Sequence, residues 1–551
     1  PMSTDPVSEL RSAVIAATEG LGEVSGRPSL ERPPKPELGD YSTNAAMLLA
    51  KSAGRPPREL AEEIGARLRE ALGESAREVV VAGPGFVNVF FADRWYRDAV
   101  ANVLAAERFG RSAERRRDVL LEFVSANPTG PLTVAGGRNA AYGDSLGRVL
   151  EAAGHPVSRE YYVNDAGTQI RNFAASIAAR MRGEEPPEDG YAGEYIGELA
   201  DELRAEGIGP DDLDRIAIRG VELMLARIEA TLERFGVRFD VWSSERALHE
   251  AGAVEKTIER LREGGHVFER DGAVWLRTTD FGDDKDRVLI RSDGQPTYFA
   301  ADVAYHLDKI ERGADLMIDP LGADHHGYVP RMKAAVACLG ADPERYEAPI
   351  LQLVHIVEGG ERARMSKRKG EFVTLDELMD DIGVDAARYF LVQRSHDTTI
   401  DLDLELARSE SQDNPVYYVQ YAHARIASIL RKAAEEGVDA DEDAIVAAAG
   451  SDAVRAAPAE ASERALIRRL LDLPGEIQDA AERRAPHRIC AYAAATAADF
   501  HAFYRDCRVL GADEEAGVEG LQAARLALCL AAKRVLATAL DLVGCSAPER
   551  M

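Results

Sequence analysis

"EFVSANPTGPLTVAGGRNAAYGDSLGRVL", residues 122–150, reads as the end of a strand, a turn of small residues and then a helix. The apolar run "VLLEFV", Val119–Val124, leads into it. A strand that passes through such a turn into a helix N-terminus is suited to phosphate. The first-turn N–H groups lack helical partners, and the helix dipole favours an anion. Yet the centre of the turn, Thr133-Val134-Ala135-Gly136, carries no imidazole or basic side chain to complete a nucleotide site.

Working outward, "REYYV", "DLMIDPLG" and "APILQLVHIV" read as further strands separated by helical segments, the signature of a parallel sheet. Ligands of such sheets sit beyond the carboxyl ends of the strands. The loops after Val124, Val163, Leu321 and Val357 are therefore where chemistry is expected. Residues about 170–290 are largely charged helix and read as an insertion in the sheet domain. Before the sheet, Leu60, Ile64, Leu68 and Leu72 recur every four residues, one helix face, and "EVVVAGPGFVNVFF" gives two short strands about a Gly-Pro-Gly turn. After about Ile400 the pattern is helical throughout. The expected architecture is multidomain α/β. It comprises an N-terminal α+β module (1–110), a Rossmann-like parallel-sheet domain (111–400) and a C-terminal all-α helix bundle (401–551).

The chain has 551 residues, and no long uncharged apolar run suggests a membrane span. Its first residues lack the basic and apolar regions of a secretory signal, so a cytoplasmic location is expected. Five scattered cysteines form no C-x-x-C pair and read as buried or incidental thiols. A formal charge of −28 argues against general nucleic-acid coating, but leaves room for a local basic groove. His325-His326 have no third ligand spaced nearby, so no metal site is expected; His306 and His355 read as structural or incidental.

"RARMSKRKG" places Arg362, Arg364, Lys367, Arg368 and Lys369 within eight residues, beside Met365, Ser366 and Gly370. A basic loop flanked by glycine after a strand suits a polyphosphate, with lysine as a movable point charge. On charge alone, a solvated surface run is the plainer reading.

The order of these residues resembles the K-M-S-K-S signature of class I aminoacyl-tRNA synthetases, with Lys367 at the second-lysine position. "SANPTGPLTVAGGR" is similar to the loop bearing that class's H-I-G-H signature. "YYVNDAGTQI", "GQPTYFAADVAYH", "GADHHGYVPRM" and "DNPVYYVQYAHARI" resemble the bacterial-type arginyl-tRNA synthetases, as do "ELGDYSTNAA", "AGPGFVNVFF" and "SAPERM". The resemblance covers nearly the whole chain in order.

It implies ATP-dependent activation of L-arginine to arginyl-adenylate and transfer to the 3′-terminal adenosine of tRNA(Arg). Activation is expected to require tRNA. ATP with Mg²⁺ is a substrate, and no tightly bound cofactor is implied. The partners are tRNA(Arg), L-arginine and ATP, with no membrane, and a monomer is expected. By the same resemblance Asp302 and Glu245 pair the guanidinium and Tyr298 orients it. Glu122, Ser125 and Asn127 take the α-amino and carboxylate ends, and Asn164, Asp165 and Gln169 line the same pocket. Asn127, Pro128, Thr133, Gly136, Gly137, His325, His326, Met365, Ser366 and Lys367 surround ATP, with Lys367, Thr133 and Gly136 nearest the chemistry. Residues 1–110 match the tRNA-elbow-binding domain, with Asn88 as a base contact. The bundle matches the anticodon-binding domain. There Tyr417, Tyr418 and Tyr421 either stack on unpaired bases or pack in the core.

One departure stands out. Thr133 and Gly136 occupy the positions of the family's two histidines, and Ala135 that of its glycine. Each charge-assisted hydrogen bond is worth about 1.5–3 kcal/mol, so losing two unreplaced would slow activation by roughly 10²–10⁴-fold. Three replacements are expected: free N–H groups of Gly136 and Gly137, the Thr133 hydroxyl, and the basic loop around Lys367. A non-catalytic relative that binds tRNA or senses arginine is the alternative reading.

Overall fold

The computed structural model describes residues 5–26, 28–362 and 373–551. The N-terminal module opens with α1 (Pro6–Thr18), whose cap Asp5 accepts the Val7 N–H. It continues through β1 (Tyr41–Thr43), α2 (Ala45–Ala53), α3 (Pro57–Leu72), β2 (Ala76–Ala82) and β3 (Phe86–Phe91). The strands form an antiparallel sheet of order β1-β3-β2. The apolar stripe of α3 buries Leu60, Ile64 and Leu68. α4 (Asp93–Ala105) then packs on the C-terminal bundle. Its buried Arg97 donates to Glu463 at 2.9 Å and to the Ala457 carbonyl at 3.3 Å, tying the two ends of the chain together.

The central domain begins with β4 (Val119–Glu122), α5 (Val134–Ala152) and β5 (Val157–Val163). α6 (Thr168–Arg182), α7 (Glu194–Ala205) and α8 (Leu213–Arg234) follow as the charged helical segment. β6 (Val241–Ser244) rejoins the parallel sheet, so the stretch expected to be an insertion of largely charged helix contributes an edge strand of the main sheet. Beyond α9 (Glu245–Glu250) and α10 (Ala253–Glu263), β7 (Val267–Arg270), β8 (Ala273–Leu276) and β9 (Arg287–Ile290) make an antiparallel ribbon. Next come α11 (Tyr298–Glu311), β10 (Leu316–Ile318), β11 (Leu321–Gly322), α12 (Tyr328–Cys338) and β12 (Tyr346–Glu347). β13 (Ile350–Leu351), β14 (Val354–Glu358), β15 (Glu361–Arg362), α13 (Leu375–Ile382), α14 (Val384–Val392) and β16 (Ile400–Asp403) complete it.

The main sheet has the order β12-β10-β4-β5-β6 and is parallel throughout. Chain order reverses between β4 and β10. The crossovers diverge there, leaving a crevice beyond the two carboxyl ends. Glu122 ends β4, and Asp319 follows β10 immediately, so sheet topology alone brings these two carboxylates together.

Four long helices (Pro415–Glu435, Ala461–Leu471, His487–Asp506 and Leu521–Leu542) frame the C-terminal bundle. Arg388 of α14, fully buried, joins it to the sheet domain. It donates to Asp144 of α5 at 2.6 Å, to the Phe235 carbonyl at 2.8 Å and to the Val543 carbonyl at 3.1 Å. Gly544 sits at φ +71°, where a Cβ would meet this guanidinium at 2.1 Å, so the close approach requires glycine. All five cysteines are buried. No described helix is long and apolar enough to cross a membrane.

Candidate active site

The crevice is built around a bend just past β4. Val124 (φ 66°) and Ser125 (φ 39°) both lie in the left-handed region, which a β-branched valine avoids unless held there. Asn139 of α5 does the holding. Its Oδ1 accepts the Val124 N–H at 2.7 Å, and its Nδ2 donates to the Pro320 carbonyl at 2.9 Å, linking the loops after β4 and β10. The bend directs Ser125 Oγ to donate to Glu122 at 2.9 Å and to accept the Tyr162 N–H at 3.0 Å.

Beneath Glu122 lies a buried polar network carried mostly by α11. Asp302, Tyr305, His306 and Lys309 are spaced i, i+3, i+4 and i+7 and share one helix face. Lys309 Nζ is 2.5 Å from Glu122 Oε2 and 3.0 Å from Asp319 Oδ1. It also lies 4.5 Å from the Tyr305 ring centroid. His306 bridges the Asp302 carbonyl (2.8 Å) and Asp319 Oδ2 (3.1 Å). Burial raises the Glu122 carboxyl above its ordinary range, with Lys309 pulling it back and Asp319 adding to the rise. For Asp319, burial opposes ionisation, but Lys309 and His306 outweigh it and hold this carboxyl below its ordinary value.

Glu122, Ser125, Asn164, Asp302 and His325 line one cavity of about 270 Å³ in this crevice. Burial pushes Asp302 up to about 7, with Glu122 and Glu245 reinforcing the shift and His306 and Tyr328 opposing it. Glu245 and Tyr298 line a cavity of about 510 Å³ alongside Ala301, the neighbour of Asp302 on α11. Glu245 is raised by burial and by Asp165, against a partial offset from His249. Tyr298 is 69 % exposed. Asp302 thus feels the charge of both Glu122 and Glu245 at the N-terminal part of α11, with Lys309 at the Glu122 end and His249, Arg171 and Arg291 bordering the cavity of Glu245. Asp165, expected in the pocket, instead accepts from Ser244 Oγ at 2.6 Å and the Arg246 N–H at 2.9 Å, positioning the helix that bears Glu245. Gln169 lies exposed in the first turn of α6 and lines neither cavity.

Asn127 and Thr133 line a third cavity of about 900 Å³, together with Tyr191, Tyr195 and Val354. Its described lining contains no charged side chain. Pro128 is buried and lines none of these three cavities. The expectation of free N–H groups at Gly136 and Gly137 is corrected here. Thr133 caps α5, its hydroxyl accepting the Gly136 N–H at 3.4 Å, while the Gly137 N–H bonds the Thr133 carbonyl at 2.9 Å. Gly137 has a packing reason instead, since a Cβ there would meet Leu375 of α13 at 2.7 Å. The Thr133 hydroxyl keeps its proton to donate. Met365, Ser366 and Lys367 lie outside the described residues. His325 faces the first cavity, while His326 is exposed and lines none of these three. No cluster of three or more metal-ligating side chains occurs among the described residues.

Two expected tRNA contacts fare differently. Asn88 is 6 % exposed, and its Oδ1 accepts from Ser42 at 2.7 Å. Its place on the central strand β3 turns it inward, so it is not open to a base. Tyr417 and Tyr421 are half-buried and parallel, with centroids 6.0 Å apart, and Tyr418 lies 5.0 Å from the His501 ring. Arg425 covers Tyr421 at 4.8 Å, adding a cation to this aromatic face.

Sequence reasoning did not single out Lys309, Asp319, Asn139 or Tyr328. The i, i+7 spacing of Asp302 and Lys309 was the available signal for Lys309. The others depend on tertiary proximity that spacing does not encode.

Known proteins match along the chain. The "Arginyl tRNA synthetase N terminal domain" model matches residues 8–91. The "tRNA synthetases class I (R), catalytic domain" model matches 99–188 and 212–426, and the "DALR anticodon binding domain" model 419–551. An arginine–tRNA ligase of Frankia alni is 51% identical over 536 residues, covering 95% of this chain and 94% of that protein. A Campylobacter jejuni structure assigned as an arginyl-tRNA synthetase has TM-score 0.76 and 34% identity, covering 84% of this chain and all of its own. The Thermus thermophilus arginyl-tRNA synthetase superposes with TM-score 0.76 at 27% identity, covering 99% of this chain and all of its own.

Proposed function

The chain belongs to the class I arginyl-tRNA synthetases and is an arginine–tRNA ligase, and we propose that its residues divide the two steps as follows. First, an oxygen of the arginine carboxylate attacks the α-phosphorus of ATP, giving arginyl-adenylate and pyrophosphate. A hydroxyl of the terminal adenosine of tRNA(Arg) then attacks the adenylate carbonyl, and AMP leaves. Arginine lies in the crevice between β4 and β10, with its ammonium at Glu122 and Ser125 and its guanidinium between Asp302 and Glu245. Asn127 and Asn164 border its carboxylate, and Tyr298 packs over the guanidinium. ATP, accompanied by Mg²⁺, occupies the cavity of Asn127 and Thr133.

Positioning and electrostatics do the chemistry, without a covalent enzyme intermediate. The positive charge at the phosphates comes from Lys367 and its basic neighbours, because the described lining of the nucleotide cavity has none. Residues 1–110 hold the tRNA elbow. The bundle of residues 401–551 holds the anticodon, with Tyr417, Tyr418 and Tyr421 as stacking platforms beside Arg425. Arginine activation waits for bound tRNA. The working unit is a monomer in the cytoplasm.

The carrying observation is the set of three desolvated carboxylates, Glu122 and Asp302 in the crevice and Glu245 in the cavity beside it, which suits a substrate with two cationic ends. Arginine-dependent ATP–pyrophosphate exchange, run with and without tRNA(Arg) beside aminoacylation, tests the reading. Exchange that needs tRNA, together with charging, is the expected result. Bound arginine and tRNA without exchange or charging would overturn the catalytic assignment.

A further inference from the structure

The crevice floor has an odd charge count. Two carboxylates, the half-buried Glu122 and the buried Asp319, flank one buried lysine, and the triad lies at the carboxyl ends of the two strands where the sheet order reverses. Lys309 is 0 % exposed, and all of its described polar contacts go to these two groups. His306 adds a hydrogen bond to Asp319 from the same helix face. A buried lysine with two carboxylates leaves one net negative charge, and isolated buried charge is costly unless something neutralises it. Both carboxylates border the cavity, but Glu122 is the more open of the two, with 14 % of its side chain exposed against 7 % for Asp319, and it faces Ser125 and Asn164 there while its Oε2 receives Lys309. Each carboxylate oxygen of Glu122 has one described donor, Lys309 on Oε2 and Ser125 on Oε1, so each retains acceptor capacity.

We propose that Lys309, fixed between Glu122 and Asp319, is a positioning residue that makes Glu122 a selective seat for the α-ammonium of arginine. This rests on the placement of arginine given above. The lysine supplies the first of two cations and the substrate supplies the second. Lys309 therefore acts through Glu122, fixing where the ammonium binds and how strongly its presence is rewarded. The guanidinium end, at Asp302 and Glu245, is left to recognise any ligand that carries the arginine side chain.

The test compares equilibrium binding of two ligands to the full-length chain with tRNA(Arg) present. One is L-arginine. The other is 5-guanidinopentanoate, which keeps the guanidinium and carboxylate but lacks the α-amine. Lys309→Met leaves two carboxylates to share a proton that the ammonium must displace. Asp319→Asn leaves Glu122 already neutralised by Lys309. Each should lower the preference for arginine over the desamino ligand by about tenfold or more. Each should also keep affinity for the desamino ligand within about threefold of the parent, since that ligand makes no use of the seat. Asp319→Asn retains the Lys309–Glu122 pair, so it decides the matter should Lys309→Met fail to fold. A merely structural role would weaken both ligands together, and that result overturns the proposal. Glu122→Gln separates the two layers of the argument. If it leaves the preference intact, the ammonium does not sit at Glu122 and the underlying placement fails. If it removes the preference while Lys309→Met and Asp319→Asn keep it, only the role of Lys309 fails.

Discussion

The crevice proposed for arginine and the cavity proposed for the nucleotide are lined by successive parts of one loop, residues 122–135, yet they are built on opposite plans. In the crevice, charge is fixed in advance. Glu122 ends a strand, Asp302 and Lys309 share a helix face, Asp319 follows a second strand, and each is held by a buried partner or by burial itself. In the nucleotide cavity the described lining offers amide, hydroxyl and tyrosine groups but no charge, and the helix N-terminus beside it has satisfied its own first-turn donors at Gly136 and Gly137. A substrate with a cationic group at each end rewards rigid, preorganised electrostatics. A polyphosphate that must enter, react and leave as pyrophosphate can be served by movable lysine charge. On the proposed reading, the basic residues around Lys367 supply the charge that the two signature histidines would have supplied.

The sharpest way to break this contrast is to neutralise the fixed side. Asp302→Asn should lower kcat/KM for arginine in the exchange reaction by about 10³-fold, because it removes a desolvated charge partner of the guanidinium. It should also raise the thermal midpoint of the ligand-free protein at pH 8. With a folded value of about 7 against an ordinary 3.8, the folded carboxyl holds a proton that the unfolded chain releases. The stability cost of ionising it grows as pH rises through that window and is complete above 7. Differential scanning calorimetry at pH 5 and pH 8 checks this, and the gain should be smaller at pH 5. An equal fall in stability at both values would mean that Asp302 is structural.

Neutralising the other side should look different. Lys367→Ala should cut the maximal exchange rate by about 10²-fold while arginine binding stays near its starting value. A rise in KM for arginine with the rate preserved would mean that the loop serves the amino acid rather than ATP.

The legibility of the molecule in its sequence follows the same line. The parallel core was readable because "VLLEFV" and "REYYV" are continuous apolar strands, and the helical face of Leu60, Ile64 and Leu68 because periodicity is local. β6 was hidden within a charged stretch, since "VWSS" is short and only half-buried on the sheet edge. Asp302, Glu245 and Glu122 were reached through motif order. Asp165 followed the same motif yet proved to be a brace for Ser244 and Arg246, because motif position does not say which way a carboxylate faces. Asn88 failed for a related reason: strand alternation puts alternate residues on opposite faces, and the sequence does not say which face is covered. The Glu122–Asp319 pair brings together two strand ends through the chain reversal at β4 and β10, a tertiary event with no local signature.

A milder probe sharpens the contrast without mutation. Because Asp302 must be ionised to meet a guanidinium, KM for arginine should climb below pH 7, approaching about tenfold per unit, as the ligand-free carboxyl takes up its proton. KM for ATP, whose cavity has no charged group in its described lining, should follow only the titration of ATP itself over the same range. Initial-rate kinetics from pH 6 to 8.5 separate the two. Parallel curves for both substrates would place the titrating group in a step common to both.

The smallest effect distinguishes two adjacent glycines that the sequence treats alike. Gly137→Ala drives a Cβ to 2.7 Å from Leu375, so α5 and α13 must part or Leu375 must leave its rotamer. Overpacking of this kind costs about 1–3 kcal/mol. Gly136→Ala meets only Leu132, at 3.4 Å, and replaces glycine within a helix by the best helix former, so its stability should hold or rise by a few tenths of a kcal/mol. Urea melts of the two variants read the difference directly. If both lose stability equally, the cost lies in the helix backbone and not in the contact with α13. If Gly136→Ala alone impairs exchange while remaining folded, the space beside the α5 N-terminus is used by the nucleotide even though its N–H is already bonded within the cap.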